Sequence, residues 1–158
     1  MLMANEQHRG TIYRRLAGNP ATPESALIHL AKWRDGDTRG SVARRKHAPE
    51  HILDILANDT KEDVRDYVAC NSTAPTRLLA KLANDPEARV RAAVAKNPIT
   101  PVEILRKLNQ MSPRPVYSLA WNPATPTDIL ESLSYYTDNS DVRCAALLNL
   151  ATNGQRSE

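Results

Sequence analysis

A chain of 158 residues with 41% apolar and 25% charged residues reads as soluble and globular, which excludes a disordered chain. Its net charge of +3 tilts slightly toward an acidic partner, short of the dense patch usual in a nucleic-acid binder. No apolar run is long enough to cross a membrane, "MLMANEQHRG" lacks the layout of a signal peptide, and the cytoplasm is the expected location.

Residues 1–10 read as a flexible lead, and from residue 11 the same pattern returns at a fixed interval. In "AGNPATPESALIHL", Asn19-Pro20 stops one short helix and Pro23 opens the next, with Leu27 and Leu30 on its apolar stripe. His29 reads there as a surface or packing residue. The second copy carries Thr38-Arg39, the break "ARRKHAPEH" and Pro49 with Leu53 and Leu56. The third carries Val64-Arg65, Tyr67, Cys70, Asn71 and Pro75 with Leu79 and Leu82. The fourth, "VRAAVAKNPITPVEILRKL", runs from Val90-Arg91 through Asn97-Pro98 to Pro101 with Leu105 and Leu108. The fifth holds Tyr117, Trp121, Asn122 and Pro126 with Leu130 and Leu133, and a half-copy follows from Val142-Arg143 to Asn149. Successive second prolines stand 26, 26, 26 and 25 residues apart. Thr100 is placed to cap the helix after Pro101 in a capping box with Glu103.

Such a helix pair buries its apolar stripe only against neighbouring copies. The expected fold is an all-α, right-handed α-solenoid of about five 25–26-residue two-helix repeats over 11–153, a HEAT/armadillo-like superhelix, with a tail at 154–158. True HEAT units run to about 40 residues, which the 26-residue period does not fit.

The run "DPEARVRAAVAKNPITPVEILRKL" resembles the leucine-rich variant (LRV) repeat, whose units read V-R-x-x-V-A-x-N-P-x-T-P-x-x-x-L-x-x-L-A. The resemblance covers roughly 11–153 and is strongest over 64–108. It implies α-helices alternating with short 3-10 helices, and a scaffold for other molecules. Some members of that family carry an iron–sulfur cysteine cluster. Cys70 and Cys144 both lie inside repeats, too few for a disulfide framework or a metal knuckle, so free thiols and no cofactor are expected.

Departures from the repeat are where function is sought, since the fold does not require them. Arg44, Arg45 and Lys46 fill the break of the second copy, with Arg39 and Arg65 on adjoining turns, a patch for an acidic protein surface or a phosphate backbone. The once-per-repeat arginines Arg39, Arg65, Arg91 and Arg143 also have a structural reading, as partners of turn acids such as Asp59 or Asp85. Trp121 stands where other copies place Gly18, Arg44, Cys70 and Lys96, so that position is expected to be exposed. Tyr117 shares its helix face four residues earlier, and with Lys96 and Arg91 nearby the pair suits a protein interface. Tyr135 and Tyr136 are expected to cap the open end of the stack.

No catalytic constellation stands out. "HAPEH" matches H-x-x-E-H, but Pro49 starts the helix between the two histidines, leaving His47 outside it, and no third ligand follows. Glu62-Asp63 reads as solvated charge. The expected function is a non-enzymatic scaffold holding a protein partner, of which an inhibitor or immunity protein is one form, as a monomer or end-to-end dimer. Nucleic-acid binding through the second copy is the alternative.

Overall fold

The computed structural model describes residues 2–154, all of whose regular structure is α-helical. The helices are α1 (Leu2–Gly18), α2 (Glu24–Ala31), α3 (Gly36–Ala43), α4 (Glu50–Leu56), α5 (Glu62–Ala69), α6 (Thr76–Leu82), α7 (Ala88–Lys96), α8 (Val102–Asn109), α9 (Val116–Trp121), α10 (Thr127–Tyr136) and α11 (Ser140–Gly154). The chain divides into two compact units, Met1–Leu78 and Leu79–Glu158.

One expectation is corrected at this level. The 3-10 segments implied by the LRV resemblance are absent among the described residues. The short helices close four-residue bonds, as from Arg44 N to Gly40 O at 3.1 Å and Cys70 N to Asp66 O at 2.9 Å. Residues 2–10 belong to α1, since nothing before Pro20 stops that helix. The expected tail at 154–158 lies outside the described residues, apart from Gly154 at the end of α11.

In the first unit, α1, α3 and α5 pack in a row, with α2 and α4 in contact behind them. In the second, α7, α9 and α11 form the row, α8 lies against α7 and α9, and α10 against α9 and α11. Each core is built from the predicted stripe: Leu27, Leu30, Leu53 and Leu56 in the first, and Leu105, Leu108, Leu130 and Leu133 in the second. Burying each leucine contributes about 2 kcal/mol. Two residues before the asparagine position stands an alanine, Ala17 and Ala43 in one unit, Ala95 and Ala120 in the other, each fully buried. Its small side chain lets the helices of a row approach closely.

The asparagines do more than end helices. Asn71 donates its side-chain amide to Ala43 O at 2.7 Å and Arg45 O at 2.9 Å. Asn122 does the same to Ala95 O and Asn97 O, and Asn149 to Ala120 O and Asn122 O. Each amide therefore ties its copy to the one before. The Asn122 side-chain oxygen accepts from Ala124 N, closing its own turn, as Asn71 does with Thr73 N.

The expected capping box is corrected. Pro101 is itself the extended residue preceding α8, and no side-chain cap forms. The Thr100 N–H that Glu103 would accept goes to Asn97 O at 3.0 Å. The Thr100 hydroxyl turns back and donates to Val94 O at 2.6 Å. Val94 O is the carbonyl that residue 98 would serve in a continuing helix, and Pro98 has no N–H. Thr22 reaches Leu16 O, four before Pro20, and Thr125 reaches Leu119 O, four before Pro123. Where Lys46 and Ser72 replace that proline, Ala48 and Ala74 replace the threonine. Hydroxyl and proline thus occur together.

Candidate functional site: the outward face of the first helices

The Thr38-Arg39, Val64-Arg65 and Val90-Arg91 steps point their arginines back into the preceding turn. Arg39 Nη1 donates to Trp33 O and Arg34 O, Arg65 Nη1 to Asp59 O and Thr60 O, and Arg91 Nη1 to Asp85 O and Pro86 O. Arg39 also pairs with the Asp59 carboxylate through two bonds of 2.5 and 2.8 Å. These arginines serve the repeat. Arg143, the last of the series, is exposed.

Burial works to raise the Asp59 carboxyl, but hydrogen bonds from Arg39 and Lys61 N outweigh it and hold the group below the usual carboxylate range. Asp35 is lowered against the same burial by bonds from Thr38 and from the Asp37 and Thr38 N–H groups at the start of α3.

The basic cluster predicted in the second copy is pulled apart. Arg45 occupies the asparagine position and does the asparagine's work, donating Nη1 to Ala17 O at 2.8 Å and Asn19 O at 2.7 Å. Its Nε is buried without an acceptor. With Arg39 and Arg65 also turned inward, Arg44 and Lys46 remain as the outward cations of that copy. Arg44 covers the ring of Tyr67, 4.6 Å from its centroid.

The histidine motif separates as well. His47 is exposed, His51 Nε2 faces Glu24 at 3.3 Å, and Glu50 pairs with Arg77. Among the described residues no group of three or more His, Cys, Asp or Glu is placed to hold a metal ion. Glu62 and Asp63 are exposed in the first turn of α5, where the helix dipole favours acids. Cys70 and Cys144 are exposed.

Tyr117 and Trp121 are 57% and 51% exposed, their ring centroids 6.4 Å apart, on the outward face of α9. Lys96 on α7 is exposed at the same repeat position as Trp121, but Arg91, expected beside it, is buried in its turn. Sequence reasoning missed Leu148, which holds this position on α11 and is 53% exposed. Asn149, next to Leu148, is bonded to the carbonyls of Ala120 and Asn122, which flank Trp121. Trp121 and Leu148 therefore stand side by side on adjacent helices. The result is an exposed strip of Tyr117, Trp121 and Leu148 edged by a cation. Tyr135 and Tyr136, expected to cap an end, are the last residues of α10, 80% and 84% exposed, and cover nothing.

In the first unit a groove of about 550 Å³ is lined by Tyr13, Leu16, Ala26, His29, Leu30 and Trp33, among others. One period on, Val42, Ile52 and Leu56 are fully buried where Leu16, Ala26 and Leu30 line this groove. Tyr13 and Trp33, with centroids 4.4 Å apart, hold the repeat positions of the Arg39–Asp59 pair. Alignment of the chain on its own period was the signal for this substitution.

Among the described residues no helix is long and apolar enough to cross a membrane. No family model, curated protein or solved structure matches the chain.

Proposed function

We propose that this chain is a non-enzymatic scaffold of LRV-type repeats, stacked as an α-solenoid, that holds a protein partner on the outward face of α7, α9 and α11. The asparagine ties from each copy to the one before, repeated within both units, support the stacked reading. The observation that carries the partner is the exposed Tyr117–Trp121 pair beside Leu148. A chain with 4% aromatic residues, no phenylalanine among them, leaves two large rings in water on one face. Exposed aromatics beside aliphatic surface are the composition of interface anchors. Lys96 at the edge favours a partner with an acidic residue beside its apolar contact. With Arg39, Arg45 and Arg65 turned inward, too few cations face outward in the second copy to favour a nucleic-acid backbone.

The test compares capture from native extract by wild type and by a Tyr117→Ser, Trp121→Ser double variant, followed by binding of the purified components. The expected result is a protein recovered by wild type and lost by the variant, with affinity reproduced in isolation. Equal recovery by both chains removes this strip from partner binding.

A further inference from the structure

Gly40 on α3 and Arg44, the residue that caps the C-terminus of that helix, stand one helical turn apart and share a face. The Tyr67 ring of α5 lies across that face. A Cβ on Gly40 would come within 2.8 Å of the ring's Cδ2 and Cε2, so the ring lies there because residue 40 has no side chain. Arg44 then closes over the ring from the C-cap of α3.

This arginine is unlike its neighbours. Arg14, Arg77 and Arg106 each give the guanidinium to a carboxylate of another helix. Arg44 is held by a ring, and among the described residues its guanidinium makes neither a hydrogen bond nor an ion pair. Stacking restrains the side chain and leaves its planar fork of donors free. Beside it opens a hollow of about 310 Å³ bounded by Arg44, Lys46, Tyr67, Cys70, Asn71 and Ser72. Lys46 is exposed and pairs with no carboxylate among the described residues, and no acid lines the hollow. Two free cations, a hydroxyl and an aromatic wall therefore converge on one small space.

We propose that this hollow binds a phosphate group, free or carried by a small phosphomonoester. The Arg44 fork matches two phosphate oxygens, Lys46 supplies the second positive charge for a dianion, and Ser72 offers a hydroxyl donor. The hollow has the dimensions of a small-ligand site. Two cations neutralise too few phosphates to hold a nucleic acid at physiological salt. The site uses α3, α5 and the turns that follow them, so it stands or falls independently of the Tyr117–Trp121 strip.

The test is titration of the isotope-labelled full chain, followed by NMR, with phenyl phosphate, inorganic phosphate and a single-stranded oligonucleotide at matched ionic strength. Saturable shifts at Arg44 Nε–H and the Ser72 amide are expected with both phosphates. Tighter binding of phenyl phosphate assigns the ester, and equal binding assigns free phosphate. Arg44→Met should weaken binding about tenfold, and Arg44→Lys, which keeps charge without the fork, should fall between. Shifts that do not saturate, or that persist unchanged in Arg44→Met, overturn the proposal. So does an oligonucleotide that binds through the same residues more than about tenfold tighter than phenyl phosphate, the mark of a multi-phosphate surface.

Discussion

Asn122 donates its side-chain amide to the carbonyl of Ala95 at 2.6 Å, across 27 residues of chain. The bond is buried, and replacing Asn122 with alanine leaves that carbonyl without its side-chain donor. Asn122→Ala should cost about 2 kcal/mol in denaturant unfolding, the penalty for an unserved buried polar group. Asn122→Asp should cost more, since a carboxylate cannot donate and would face two carbonyl oxygens.

Arg45 does the same work in the first unit with a larger group, and its Nε is left without an acceptor. Arg45→Asn should keep the donors to Ala17 O and Asn19 O and remove the orphan. Stability is expected to stay level or rise by up to about 1 kcal/mol, whereas Arg45→Ala should fall by about 2 kcal/mol. Thermal unfolding of the three chains side by side checks the order. Asparagine no better than alanine would contradict the role given to Arg45.

The Thr100 hydroxyl and Pro98 form a testable couple. Thr100→Val alone should cost about 1 kcal/mol, because Val94 O loses a donor that the proline cannot replace. In a Pro98→Ala background residue 98 regains an N–H, and the same change should cost less. A double-mutant cycle should show a coupling energy of about 0.5–1 kcal/mol. Strict additivity would mean that the hydroxyl does not stand in for the missing N–H.

Asp59 sets an acid limit on stability. Its folded pKa lies below the unfolded value of about 3.9, so its contribution is fully present above that value. That contribution is lost as pH falls through the lower folded value. Asp59→Asn should lower stability at neutral pH by about 3 kcal/mol, because Arg39 keeps a largely buried charge without its partner. The variant should also show a flatter dependence of stability on pH below about 4. Denaturant midpoints at neutral and acid pH measure both effects.

Period and composition made the helices, their apolar stripes and the inter-copy breaks legible, because each rests on residues that recur in register. The structural use of Arg39, Arg65 and Arg91 was legible for the same reason. Roles that depend on which way a side chain turns were not. Thr100 is chemically suited to cap forwards or bond backwards, and only the missing Pro98 N–H decides it. Arg45 reads as one of three surface cations until its place in the asparagine series is counted, and then its inward turn follows. Leu148 was hidden because one leucine among the three of α11 carries no mark of exposure. The Gly40–Tyr67–Arg44 stack joins residues of two copies through a contact that no spacing announces.

The amide ties also explain how units of unequal size share one scheme. Arg45 and Asn71 reach back 28 and 26 residues, Asn122 reaches 27 and 25, and Asn149 reaches 29 and 27. The anchoring atoms stay equivalent while the chain between them lengthens or shortens, the longest interval holding the ten-residue α10 and the shortest the six-residue α9. A residue gained or lost between the anchors leaves the joint untouched. The scheme is therefore one that can grow by duplication and drift in length without being redesigned.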